Sequence, residues 1–148
     1  MAILSILGLL IAAGAALVVQ NALMVRMNET ASTTLIILVT NSAVGLAALT
    51  TLLLTKSGFA GFIEIIAEFR VWSILPGLLG SFFVFASITG YQRLGAASTI
   101  AILIASQLVF GLTADMIKTN SAPQNAPFAI AGAVLLIIGA VLVVFKRI

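Results

Sequence analysis

The chain has no cysteine and no histidine among its 148 residues. Without cysteine there is no disulfide framework and no thiol nucleophile. Without histidine the commonest proton shuttle and metal ligand is missing. Charge is scarce as well: Asp, Glu, Lys and Arg make up 7% of the chain, against about 25% in soluble domains. The net charge of +3 is too small and too scattered to mark a nucleic-acid surface. No acidic cluster has the spacing of a zinc site. A serine nucleophile would find no histidine base. Asp115 is the lone acid within a long apolar run, so no aspartyl pair forms. No glycine-rich loop ends in Gly-Lys-Ser/Thr. Composition therefore argues against an enzyme and points to no cofactor and no metal.

What the chain has instead is apolar length. Hydrophobic residues are 62% of it and the mean hydropathy is +1.30. A hydrocarbon core about 30 Å thick takes about 20 helical residues to cross. Five runs reach that length: Ala2–Val25, Ala31–Thr55, Trp72–Tyr91, Ala96–Ile117 and Pro127–Phe145. Lipid offers the backbone no hydrogen bonds, so each run is expected to be a helix. The reading is an all-α integral membrane protein with one transmembrane domain over 1–148. The first run lacks a basic leader and exceeds the usual signal-peptide core of about 7–15 apolar residues, so a retained helix is expected.

Between the second and third runs, Phe59, Phe62, Ile66 and Phe69 recur at spacings of three or four, with Glu64 and Glu68 on the other side. That pattern predicts a short interfacial helix over 59–71; the alternative is a loop whose phenylalanines dip into lipid. Trp72 and Tyr91 bracket the third run, about 28 Å apart at ~1.5 Å per residue, which suits aromatic rings at both headgroup levels. Pro76 and Pro127 fall in first turns, where a missing N–H costs least.

Five spans put the termini on opposite sides. Lys56, Arg70, Lys118 and the α-amino group fall on one side, and Arg26, Arg93, Lys146 and Arg147 on the other. This near-zero bias is what dual topology requires, with copies inserting both ways and pairing antiparallel. A weakly biased protein oriented by other signals is the alternative. Transporters often place a midplane site between two inverted units, and a chain lacking the second unit can take it from a second copy.

Helices in lipid approach through small residues. Gly8, Ala12 and Ala16 step toward Gln20 on the first run. Gly77, Gly80, Val84, Ser87 and Tyr91 follow one face of the third, and Gln107, Gly111 and Asp115 step by four on the fourth. Gly132 and Gly139, seven apart on the last run, form a groove suited to a second copy or to a neighbouring helix of the same chain. Buried polar side chains in a membrane are costly and tend to mark function. Gln20, Asn21, Asn41, Ser106 and Gln107 are the candidates, with Gln20 favoured over Asn21, which points about 100° away. For each, interhelical hydrogen bonding is the competing role. Asp115 is read as an interfacial carboxylate able to pair with Lys118, with proton coupling as the alternative.

Leu75-Pro-Gly-Leu-Leu-Gly80, Arg93-Leu-Gly-Ala-Ala97, and Gln107 followed by Asp115, with Gly14 and Gln20 on the first run, resemble the YdcZ-type group of the drug/metabolite transporter superfamily. The resemblance spans nearly the whole chain. It implies a five-helix bundle in the bacterial inner membrane, export as the activity, and antiparallel, dual-topology homodimers. The family pattern has an asparagine one turn after the first-helix glutamine, where this chain has Met24. The related small multidrug-resistance proteins dimerise through a glycine pair like Gly132 and Gly139. They couple protons through a first-helix glutamate that this chain lacks, so their antiport mechanism does not carry over.

The expectation is an exporter of a small polar or amphipathic solute, working by alternating access in an antiparallel homodimer. Gln20, Asn41, Tyr91 and Gln107 are its expected substrate-binding residues, Gly132 and Gly139 its dimer contact, and Asp115 a coupling or structural group. The competing expectation is a non-transporting membrane scaffold or assembly subunit.

Overall fold

The computed structural model describes residues 3–119 and 126–145. Among these, every regular element is helical: α1 (Ile3–Asn28), α2 (Thr34–Ser57), α3 (Ala60–Glu68), α4 (Ile74–Leu94), α5 (Ala96–Thr119) and α6 (Ala126–Phe145), with a 3-10 turn at Val71–Ser73 before α4. Five are long and apolar enough to cross a membrane, all but the short α3. The loop 120–125, and with it the charges Lys146 and Arg147, lies outside the described residues. So does the Lys118 side chain, on which the expected pairing with Asp115 rests.

The chain forms two compact units, Met1–Ile88 and Thr89–Ile148, divided within α4. In the first, Met24 of α1, Ile37 of α2 and Ile88 of α4 form a buried cluster, with Val25, Leu38 and Val84 packed against it. α1 runs past Val25 to Asn28, whose side-chain Nδ2 donates to Thr34 Oγ1 at 3.2 Å. Thr33 caps α2, its hydroxyl oxygen accepting from the Leu35 N–H at 3.4 Å and so satisfying one of the orphan donors at a helix start.

α2 ends at Gly58, whose N–H donates to Leu54 O at 3.0 Å and whose φ is +59°. That conformation is open to glycine and strained for other residues. The chain then turns into α3, where Gly61 is buried against the end of α2. A Cβ there would lie 2.8 Å from Leu53 Cδ1. The side of α3 turned away from α2 carries Phe59, Ile63 and Ile66, all strongly exposed. The phenylalanine and isoleucine spacing of 59–71 therefore belongs to a helix over its first part and to a 3-10 turn at its end.

In the second unit Gly95, at φ +79°, joins α4 to α5. Its N–H donates to Tyr91 O at 3.1 Å, and its carbonyl accepts from both the N–H (3.2 Å) and the hydroxyl (2.8 Å) of Thr99. This tight turn brings Gly90 so close to Thr99 that a Cβ would meet Thr99 Cγ2 at 2.6 Å. α5 and α6 pack against one another with Ala105, Ala133 and Ala140 buried. An apolar cavity of about 300 Å³ lies between them, walled by Ile102, Ile137 and Phe145 among others.

Candidate substrate site

Many of the described hydroxyls in the spans bond within their own helices. Thr40 donates to Ile36 O, Thr51 to Ala47 O, Ser81 to Gly77 O, Ser87 to Phe83 O and Thr113 to Val109 O, at 2.8–3.0 Å. This is the local answer to a solvent without hydrogen bonds. Ser106 does the same to Leu103 O at 2.9 Å, which removes it from the residues that need a partner elsewhere.

The amides behave differently. Gln20 Nε2 donates to Asn41 Oδ1 at 3.0 Å, linking α1 to α2. The pair lies in a cavity of about 210 Å³ in the first unit. Its other walls are largely apolar: Leu23, Met24 and Met27 of α1 face Ile37 and Val44 of α2. Asn21 is itself buried, but it does not line this cavity. Choosing Gln20 over Asn21 follows the roughly 100° turn between successive residues of a helix. Met24 supplies an apolar wall. The amide that meets Gln20 comes from α2.

Asn41 also borders a second cavity, of about 270 Å³, between α2 and α4. Ser42 and Ser81 line it, and Gly77 and Gly80 leave it open, since a Cβ at either glycine would meet nothing within 4 Å. The small-residue stripe of the third run pointed at Gly77 and Gly80. Ser42 and Ser81 were missed. Their signal is position, Ser81 one turn after Gly77 and Ser42 beside Asn41, and it is weak because serine is common in spans.

Tyr91 lies in the second unit. It is 9% exposed and its hydroxyl is buried without a hydrogen-bond partner among the described residues. The ring is therefore packed inside protein, whereas Trp72 is exposed. Gly95 turns the chain from α4 into α5 just beyond Tyr91. Ser98, on the same hairpin, is 1% exposed, and its Oγ also lacks a partner. Gln107 and Asp115 on α5 are exposed, and neither borders a cavity described above. Gly132 and Gly139 on α6 are half-buried with open space where a Cβ would stand, while the neighbouring Ala133 and Ala140 are the buried positions. Of the four expected substrate residues, the structure joins Gln20 and Asn41 directly. Tyr91 and Gln107 are not joined to each other.

Residues 5–142 match the DMT_YdcZ family, described as "Putative inner membrane exporter, YdcZ". The chain is also 54% identical over 138 residues to "Inner membrane protein YdcZ" of Escherichia coli (strain K12), a match covering 93% of each. No solved structure matches with significance. The family description supports a membrane transporter. The five spanning helices and a relative of that name agree on the compartment. With near-complete coverage on both counts, the chain belongs to the DMT_YdcZ family of integral inner-membrane proteins.

Proposed function

We propose that the chain exports a small polar or amphipathic solute by alternating access, as one half of an antiparallel homodimer. The observation that carries the reading is the Gln20–Asn41 pair, a neutral hydrogen-bonding group in the wall of a cavity in a protein of an exporter family. Polar amides within spans are expensive unless they serve packing or a ligand. Balanced loop charge supports insertion in both orientations, and the open space at Gly132 and Gly139 supports a second copy on that side of α6. Rocking of two inverted protomers would expose the solute to each side in turn. Tyr91 and Gln107 serve the solute as hydrogen-bonding groups of their own unit, and Asp115 acts as a coupling or structural carboxylate.

Solvent access tests the reading. In this cysteine-free chain, cysteines at Gln20 and Gln107 are expected to react with membrane-impermeant thiol reagents, and Gln20→Ala and Gln107→Ala to reduce solute flux in proteoliposomes. Unchanged flux across a screen of polar and amphipathic solutes removes those assignments. Reporters fused to both termini are expected to signal on both sides of the membrane; a single orientation defeats the antiparallel dimer.

One observation favours a second reading. Gln20 and Asn41 satisfy each other, as they would in a scaffold held together by interhelical bonds. A scaffold protects the cysteine at position 20 from the same reagents.

A further inference from the structure

The two cavities beside Asn41 share that residue alone. The first is walled mainly by leucine, methionine, isoleucine and valine around the Gln20–Asn41 amides, with Thr40 as a further polar side chain whose hydroxyl hydrogen is committed to Ile36 O at 2.8 Å. The second carries three hydrogen-bonding side chains, Asn41, Ser42 and Ser81, in a recess kept open by Gly77 and Gly80. Neither is lined by an Asp, Glu, Lys or Arg. At about 210 and 270 Å³, each alone is smaller than the ~300 Å³ at which small-molecule sites begin, and the two together exceed it.

We infer that they form one bipartite site for an amphipathic solute with an uncharged head. Its apolar part lies in the α1–α2 cavity, its head in the α2–α4 cavity, and Asn41 sits at the junction. This rests on the transport reading for its purpose but not for its chemistry.

The hydrogen-bond inventory selects the head. Asn41 Oδ1 is held by Gln20, which leaves the Nδ2 hydrogens to donate. The Ser81 hydroxyl hydrogen is committed to Gly77 O at 3.0 Å, which leaves its oxygen lone pairs to accept. Ser42 can do either. A head with both donors and acceptors, such as a hydroxyl or a primary amide, satisfies all three. A charged head would lose its hydration with no counter-charge to offset the loss. The methionines of the first cavity, Met24 and Met27, suit a tail of variable shape, because an unbranched thioether side chain repacks readily.

The experiment measures binding of three radiolabelled probes with the same six-carbon tail to the full chain in nanodiscs, with empty discs subtracted. The probes are hexyl β-glucoside, hexyltrimethylammonium and hexanoate. The neutral probe is expected to bind at least tenfold tighter than either ion. Gly80→Val, whose side chain enters open space, is expected to weaken it about tenfold, Gly80→Ala less, and Ser81→Ala about tenfold through loss of one acceptor. Adding monoolein to the discs separates the sources of such a head: competition points to a membrane glyceride, and unchanged binding to a solute from water, both within the inferred class. The inference is overturned if an ion binds as tightly as the glucoside, if no probe binds above empty discs, or if correctly folded Gly80→Val and Ser81→Ala proteins bind like the parent. Proteoliposome flux is read separately. Binding without flux removes the transport reading and leaves the bipartite site; flux indifferent to both substitutions does the reverse.

Discussion

Gln20 on α1 donates its Nε2–H to Oδ1 of Asn41 on α2 at 3.0 Å, across 21 positions of sequence. In lipid the alternative for either amide is another protein group or none, so the bond fixes how the two helices are rotated toward each other. A double-mutant cycle with Gln20→Ala and Asn41→Ala is expected to give a coupling of about 0.6–2 kcal/mol, read from reversible unfolding in bicelles. Additive effects would mean that the two side chains do not depend on each other.

Tyr91 presents a buried hydroxyl with no hydrogen-bond partner among the described residues. Such a group weakens the fold by roughly 1–3 kcal/mol. Tyr91→Phe is therefore expected to raise the melting temperature. If the hydroxyl serves the solute, the same substitution lowers flux. A protein that is more stable and fully active assigns Tyr91 to packing alone.

Gly90 and Thr99 approach each other closely in the second unit. A Cβ at position 90 would stand 2.6 Å from Thr99 Cγ2 and 2.9 Å from its Oγ1. Gly90→Ala is expected to cost about 1–3 kcal/mol through overpacking. Adding Thr99→Ala removes both contacts and leaves Thr99 Cβ at 3.3 Å, so the double variant is expected to recover part of the loss. Thermal unfolding of the three proteins checks the order.

Gly58 and Gly61 stand three residues apart with different demands. Gly58 has φ +59° and ψ −152°, a region costing roughly 1–3 kcal/mol for a residue with a Cβ. Gly61 is helical, and its nearest obstacle is the end of the Leu53 side chain. Gly58→Ala is expected to destabilise markedly, and Gly61→Ala to stay within about 1 kcal/mol of the parent, because gained helix propensity offsets the contact. Comparable losses would show that α3 is fixed by its packing more than by its entry turn.

On α6 the two small-residue faces are separable. Gly132→Leu and Gly139→Leu place bulk in open space, so each monomer is expected to fold while crosslinking in lipid reports loss of the proposed dimer. Ala133→Leu forces bulk into a buried position and is expected to cost about 1–3 kcal/mol of fold stability. An intact dimer in the glycine variants would move the subunit contact away from this face.

Much of the candidate site was visible in the amide side chains before any helix was packed. Gln20 and Asn41 are conspicuous because long apolar runs rarely carry amides, and each sits well inside its span. Their pairing was not visible, since it depends on the rotation of two helices about their own axes. Tyr91 shows the limit most clearly. By position it reads either as an interfacial ring or as a cavity-lining one, and only the packed chain shows it buried. Ser42 and Ser81 acquire meaning only from the cavity they share.

Sequence alone determined that there are five helices long and apolar enough to span a membrane and roughly where they run, and that the chain has no histidine and no cysteine. The reason is one-dimensional: span length is set by bilayer thickness, and the helical state by a solvent that cannot hydrogen-bond the backbone. Only the tertiary structure decided that Gln20 meets Asn41, that Asn41 borders two cavities, and that Gly132 and Gly139 face open space while Ala133 is buried. Those are questions of which side of each helix meets which neighbour. Lipid is as apolar as the side chains it touches, so hydrophobicity cannot choose the side; close packing of small residues and pairing of polar ones does.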